Sequence, residues 1–190
     1  GAWSRRELAL WRGEHPVKLN IAAGPNMFPD WVNLDLVDMT DYRRTLFEQE
    51  DFTGWPDHQV NLAKACKAGR VDSAVHDLRK GLPNVPDNSI SAIYVGQAIE
   101  HMSCIHEAPK FLAECLRMLK PGAPIRITTP DLDILIDAYN EGTLERFASE
   151  QPAFYAGAPA GAQFSFLAFG ASGADCTREN FEGHFVCYTR

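Results

Sequence analysis

Five short apolar runs, at residues 17–22, 31–36, 71–78, 90–96 and 124–129, do most to narrow what this chain can fold into. Each has the length and composition of a strand covered on both faces, and strands of that kind belong to parallel sheets. Parallel neighbours need crossovers, and helical patterns stand between the later runs. Ala108, Phe111, Leu112, Cys115, Leu116 and Leu119 recur at three-to-four spacing, with Pro109 suited to a first turn and Lys120-Pro121-Gly122 closing the element. Leu132, Leu135, Ile136 and Tyr139 form one face of a further helix. The predicted fold is α/β: an open, mainly parallel twisted sheet flanked by helices, with right-handed crossovers.

The rest of the chain carries weaker signals. Ser4-Arg5-Arg6-Glu7 has capping-box spacing and predicts a short leading helix. Pro25 and Pro29 argue against a long helix between the first two strands. Residues 37–70 read as mostly irregular, with a helix somewhere in 57–68. Residues 153–174, rich in Gly, Ala and Phe, read as a mobile loop or lid. There is no internal repeat.

With 190 residues the chain is most economically a single domain, residues 1–190, large enough to bury a core. A hydrophobic fraction of 45% and a charged fraction of 23% argue against disorder. A net charge of −7 disfavours a nucleic-acid face, which needs clustered Lys and Arg, and would welcome a cationic ligand. The five cysteines form no C-x-x-C pair, and no signal peptide or membrane-inserting span is read, so the expected setting is the reducing cytoplasm. His101 and His106 are five apart, unsuited to one helical face, and no structural zinc is expected.

In an open parallel sheet the ligand lies beyond the carboxyl ends of the strands, where the strand order reverses. Gly24 follows the first run, Asp35 closes the second, and Asp77 closes the third. Gly96, Gln97, Glu100 and His101 follow the fourth. Four consecutive strand ends bearing candidate ligand groups say more than any one motif. A nicotinamide dinucleotide is disfavoured: the turn has one glycine rather than G-x-G-x-x-G, and the acid comes 11 residues after Gly24 rather than about 20.

The runs LNIAAGP, WVNLDL, HDLRKGLPNVPDNSISAIYVGQAIEHM and FLAECLRMLKPGAPIRITTPDL resemble the class I, Rossmann-like S-adenosylmethionine-dependent methyltransferases. More narrowly they resemble the methyltransferase type-11-like branch, often associated with bacterial cell-envelope glycan synthesis. The likeness covers residues 17–133 and implies a cofactor-binding core there, with 134–190 on the acceptor side as a lid. The implied cofactor is S-adenosylmethionine, which has no pyrophosphate, so one glycine suffices for close backbone approach. By this resemblance Ala22 and Gly24 would border its methionine and ribose portion, and Asp35 would accept from the ribose hydroxyls. Asp77 and the Leu78 N–H would meet the adenine, while Gly96 and Gln97 would flank the sulfonium. The implied acceptor is a small molecule or saccharide methylated at oxygen, and His101, Glu100 and His184 are the candidate proton acceptors. The runner-up is a catalytically silent cofactor-binding partner subunit. The class usually ends in an antiparallel strand pair, and no convincing hairpin follows Thr129. Three readings stay open: a chain cut short, a minimal fold, or an edge completed by a partner chain, as in a homo-oligomer.

Overall fold

The structure is a computed structural model that describes residues 16–150, 157–169 and 188, with 148–150 and 169 in backbone only. The chain forms two compact units, residues 1–96 with 109–128, and residues 97–108 with 129–190.

The first unit holds β1 (Val17–Ile21), β2 (Val32–Asp35), α1 (Thr40–Glu48), α2 (Asp57–Lys67), β3 (Asp72–Val75), β4 (Ile90–Gly96), nearly all of α3 (Ala108–Met118), and β5 (Ile125–Thr128). All five strands run parallel in the order β3-β2-β1-β4-β5, so the direction of winding reverses between β1 and β4. This is the open, helix-flanked parallel sheet that the apolar runs predict. Leu19, Ile21, Leu34, Ile93 and Val95 are buried in its centre. Each such side chain contributes about 1.5–3 kcal/mol of hydrophobic stabilisation.

The helix expected within 57–68 is α2. A second helix, α1, corrects the reading of residues 37–56 as irregular. Its sequence TDYRRTLFE buries Leu46 and little else, so no apolar stripe announces it. Together α1 and α2 enclose a satellite core with Ala23, Met27 and Val71. In α3 the buried stripe is Ala108, Phe111, Cys115 and Met118, whereas Leu116 is 69% exposed although it fits the apolar spacing.

The connection from β3 to β4 is anchored to α3 by charge-assisted bonds. Glu114 Oε1 accepts the Leu82 N–H at 2.9 Å and Arg117 Nη2 at 2.7 Å. Arg117 also donates to the carbonyls of Val85 and Leu82 and to Asp87. The Arg117 guanidinium, assisted by the Leu82 N–H and working against burial, holds the Glu114 carboxyl below its ordinary range.

The second unit contains α4 (Leu132–Glu141), a 3-10 segment (Leu144–Glu150) and α5 (Ala160–Phe169). Asp131 caps α4 by accepting from Asp133 N–H at 3.0 Å, and Gly142 ends it in the left-handed conformation at φ +68°. Tyr139 and Phe164 pack edge to face, with centroids 5.4 Å apart. Helix α5 corrects the loop reading for residues 160–169. Its polar side chains are those of Gln163 and Ser165, too few to set off an apolar face, and it therefore shows no amphipathic period. Leu132 N–H donates to Tyr188 O at 2.9 Å. The expected leading helix, residues 153–156 and 170–174 of the expected lid, and His184 lie outside the described residues. Among the described residues no helix is long and apolar enough to cross a membrane.

Candidate cofactor site

Parallel strands are ordinarily joined by a dozen or more residues, usually a helix. Between Ile21 and Val32 the chain crosses in a short loop without one. Three residues of that loop take positive φ, Ala22 at +55°, Gly24 at +46° and Asp30 at +62°. Around the position that a Cβ on Gly24 would take there is no atom within 4 Å, so this face of the turn is open to a ligand. The Gly24 N–H donates to Asp35 Oδ2 at 2.7 Å, and the Val37 N–H donates to Asp35 Oδ1 at 2.9 Å. The structure therefore brings the glycine of β1 and the acid of β2 into direct contact. Each carboxylate oxygen has accepted one N–H and keeps capacity for another donor. Beside Asp35, Leu36 and Val37 are 62% and 64% exposed, and Val75, its register partner on β3, is 50% exposed. An acceptor-rich carboxylate bordered by bare aliphatic surface suits a ribose and a purine.

The loop is held from below by two amides that the sequence analysis passes over. Asn20 and Asn33 sit side by side in β1 and β2 and are 1% and 0% exposed. Asn20 Nδ2 donates to Asn33 Oδ1 at 2.8 Å and to the Asn26 carbonyl at 2.9 Å. Asn33 Oδ1 also accepts the Phe28 N–H at 2.7 Å. Asn33 Nδ2 faces the carbonyls of Asp72, Phe28 and Trp31 at 2.8, 3.1 and 3.2 Å. Buried polar side chains persist where they are hydrogen-bonded, and this pair spends its bonds on fixing a surface loop. The signal is visible as an asparagine inside each of the strands VKLNI and VNLD.

At the third strand end, Asp77 lies two residues past β3 and caps the 3-10 turn Leu78–Lys80. Arg79 grips its carboxylate, Nε to Oδ1 at 2.9 Å and Nη2 to Oδ2 at 3.2 Å, and this is the main reason the group is held below its ordinary range. At the fourth, a Cβ on Gly96 would stand 2.9 Å from Tyr94 Cε1, so the ring requires glycine there. The Tyr94 hydroxyl meets Thr128 Oγ1 at 3.2 Å, and its ring lies 5.1 Å from that of Phe28. Gln97, the next residue, is exposed and takes φ +52°. Strained left-handed backbone on a side-chain-bearing residue is characteristic of functional turns.

In the second unit Glu100 is 1% exposed. Its Oε2 accepts from Thr129 Oγ1 at 3.1 Å, and among the described residues its Oε1 has no hydrogen-bond partner. The neighbouring His101 is exposed. Among the described residues no three His, Cys, Asp or Glu side chains gather into a metal-binding group.

An open parallel sheet with polar groups at its strand ends is the architecture in which α/β proteins commonly bind ligands. Residues 54–127 match the family model described as a methyltransferase domain. The match covers less than half of the chain, and the five-stranded parallel order is that of the Rossmann-like fold the sequence resembles. The Gly24–Asp35 edge fits S-adenosylmethionine, the cofactor that the resemblance implies.

Among solved structures, the chain is similar to the PH0226 protein of Pyrococcus horikoshii OT3, with 20% identity, 72% of this chain and 59% of that one covered, and a TM-score of 0.44. It is similar to a SAM-dependent methyltransferase from Archaeoglobus fulgidus, with 18% identity, coverage of 87% and 65%, and a TM-score of 0.42. It is also similar to an S-adenosylmethionine-dependent methyltransferase from Mesorhizobium loti, with 16% identity, coverage of 68% and 54%, and a TM-score of 0.41. The chain thus spans less than two thirds of the length of each of these structures. No curated protein sequence matches it significantly.

Proposed function

We propose that the chain transfers the methyl group of S-adenosylmethionine to a hydroxyl of a small-molecule or glycan-like acceptor. The contact between Gly24 N–H and Asp35 Oδ2 carries this reading, because it joins a bare backbone turn to a carboxylate with accepting capacity to spare. Asp35 is assigned to the ribose hydroxyls, with Ala22 and Gly24 along the methionine and ribose portion. Leu36, Val37 and Val75 supply apolar surface for the adenine, and the Leu78 N–H and Asp77 its polar contacts. Arg79 shares the Asp77 carboxylate, so that contact is the weaker of the two acids' contributions. Gly96 and Gln97 are assigned to the sulfonium. When bound, the cofactor supplies an activated methyl carbon, and the protein's share is alignment and proton removal.

Of the three candidate proton acceptors, Glu100 is favoured, because a buried carboxylate oxygen without a partner among the described residues is set to receive a donor. His101 and His184 are the alternatives. The free thiols of Cys66, Cys104 and Cys115 support a reducing, cytoplasmic setting. Calorimetry with S-adenosylhomocysteine tests the cofactor site, and release of S-adenosylhomocysteine on a panel of hydroxyl-bearing acceptors tests transfer. Cofactor binding with no turnover on any acceptor would turn the reading toward a silent cofactor-binding partner subunit.

A further inference from the structure

The loop that carries Gly24 has a second side. Its residues 25–29, together with α1 and the start of α2, line a cleft of about 350 Å³. Among the described residues no charged side chain lines it. The residues with polar side chains there are Asn26, Tyr42, His58, Gln59 and Asn61, and the rings are those of Phe28 and Tyr42. Uncharged amides and an imidazole supply both donors and acceptors, and the rings and two prolines supply apolar surface. A charged ligand would find no carboxylate, ammonium or guanidinium partner in such a cleft, and a purely apolar one would strip five polar groups of water without replacing their bonds. A neutral ring with several hydroxyls and an apolar face meets both demands. The wall is also preformed: Asn20 holds the Asn26 carbonyl at 2.9 Å, and Asn33 holds both the N–H and the carbonyl of Phe28, at 2.7 and 3.1 Å. Two fully buried amides in the middle of a sheet are a large commitment for a loop with no duty, and ligand sites are typically shaped in advance.

We propose that this cleft binds a neutral saccharide ring and is where the sugar portion of the methyl acceptor is held. The assignment of acceptor class rests on the methyltransferase reading; the binding of the ring does not. It moves acceptor recognition from the C-terminal part of the chain to the connection between β1 and β2.

The test is nuclear magnetic resonance on the isotope-labelled whole chain, without any cofactor. The probes are methyl α-glucopyranoside, methyl α-mannopyranoside and methyl β-galactopyranoside, against glucose 6-phosphate and glucosamine as charged counterparts. At least one neutral probe is expected to shift the amides of Asn26, Met27, Phe28, His58 and Asn61, with the charged counterpart at least about tenfold weaker. The double variant His58→Ala with Asn61→Ala changes two exposed side chains. It is expected to weaken that probe about tenfold or more while leaving S-adenosylhomocysteine affinity unchanged. Absence of shifts at those amides with all three neutral probes near saturating concentration would overturn the proposal. So would equal binding of charged probes, or unchanged binding in a double variant that keeps the wild-type spectrum elsewhere. If the saccharide binds and S-adenosylhomocysteine does not, the methyltransferase reading fails and the saccharide site stands; the reverse result leaves the first and removes the second.

Discussion

The substitution Asn33→Asp exchanges one NH2 group for one oxygen at a position with no solvent exposure. The retained oxygen still accepts from Phe28 N–H at 2.7 Å and from Asn20 Nδ2 at 2.8 Å. The exchanged atom, however, faces the carbonyls of Asp72, Phe28 and Trp31 at 2.8, 3.1 and 3.2 Å. Two hydrogens serve those three carbonyls in the native protein, so the loss is two bonds' worth. At about 1–3 kcal/mol for each buried group left unpaired, and with acceptor facing acceptor, the cost is about 3–5 kcal/mol. That is a large share of a total stability of about 5–15 kcal/mol. Burial beside three carbonyls disfavours the ionised form, so the folded-state pKa of the introduced carboxyl rises above the unfolded value of about 3.9. With the folded value raised, the folded variant binds the extra proton. Its stability relative to wild type is best below about pH 4 and falls by about 1.4 kcal/mol per pH unit until the folded value is passed. Urea unfolding of both proteins, followed by circular dichroism from about pH 4.5 to about pH 7.5, reads the difference. A gap below about 1 kcal/mol that does not change with pH would show that these bonds do not hold the loop.

Four further outcomes are expected. Asp35→Ala should weaken S-adenosylhomocysteine binding by about 1.5–3 kcal/mol in calorimetry, because the ribose bonds are charge-assisted; unchanged affinity would remove the ribose assignment. Ala22→Gly should stabilise the protein: relief of the left-handed alanine is worth about 1–2 kcal/mol against about 0.4–1 of added unfolded-chain freedom, raising Tm by roughly 1–4 °C, and a lower Tm would mean the methyl packs usefully. Iodoacetamide near neutral pH should label exposed Cys104 and spare Cys66 and Cys115 in the folded protein, since burial pushes the Cys115 thiol up to about 12 and raises that of Cys66; mass spectrometry decides it. Glu114→Gln should flatten the acid limb of stability, because a depressed carboxyl stabilises above its unfolded value of 4.5 and loses that contribution as pH falls through the folded one; an unchanged acid limb in denaturant titrations would argue against the Arg117 pairing.

What residues alone reveal is whatever has a short period or a local signature. The strands show as continuous apolar runs, α3 and α4 as repeating stripes, and Gly24 and Asp35 as a glycine and an acid at strand ends. Their hydrogen bond is not legible, because it joins residues 11 apart and depends on β1 and β2 being neighbours. Helix α1 escapes notice for want of a stripe, and α5 because an element with only two polar side chains has no clear period. Leu116 fits the spacing of α3 and is nevertheless exposed; three-to-four spacing admits neighbouring stripes, and packing decides between them. Position alone points Asp77 at a ligand, and position gives no hint that Arg79, two residues on, occupies most of its carboxylate.

The short crossover explains several of these features together. A helix between β1 and β2 would have satisfied its own backbone and covered the sheet, and its absence leaves the Asn26 carbonyl and both polar groups of Phe28 to be paired by other means. Asn20 and Asn33 do so from inside the sheet, one residue before the end of β1 and two before the end of β2. Ala22 and Gly24 turn the chain through left-handed backbone, and Asp35 ties that turn to β2 through the Gly24 N–H. The loop is therefore fixed at Gly24, Asn26 and Phe28 by side chains of the strands it connects. A segment pinned at three alternate residues moves as one piece with the sheet. The proposed cofactor edge at Gly24 and the proposed saccharide wall at Asn26 and Phe28 then belong to one pinned strip, so a change that loosens Asn33 should disturb both kinds of binding, whereas Asp35→Ala should disturb the first far more than the second.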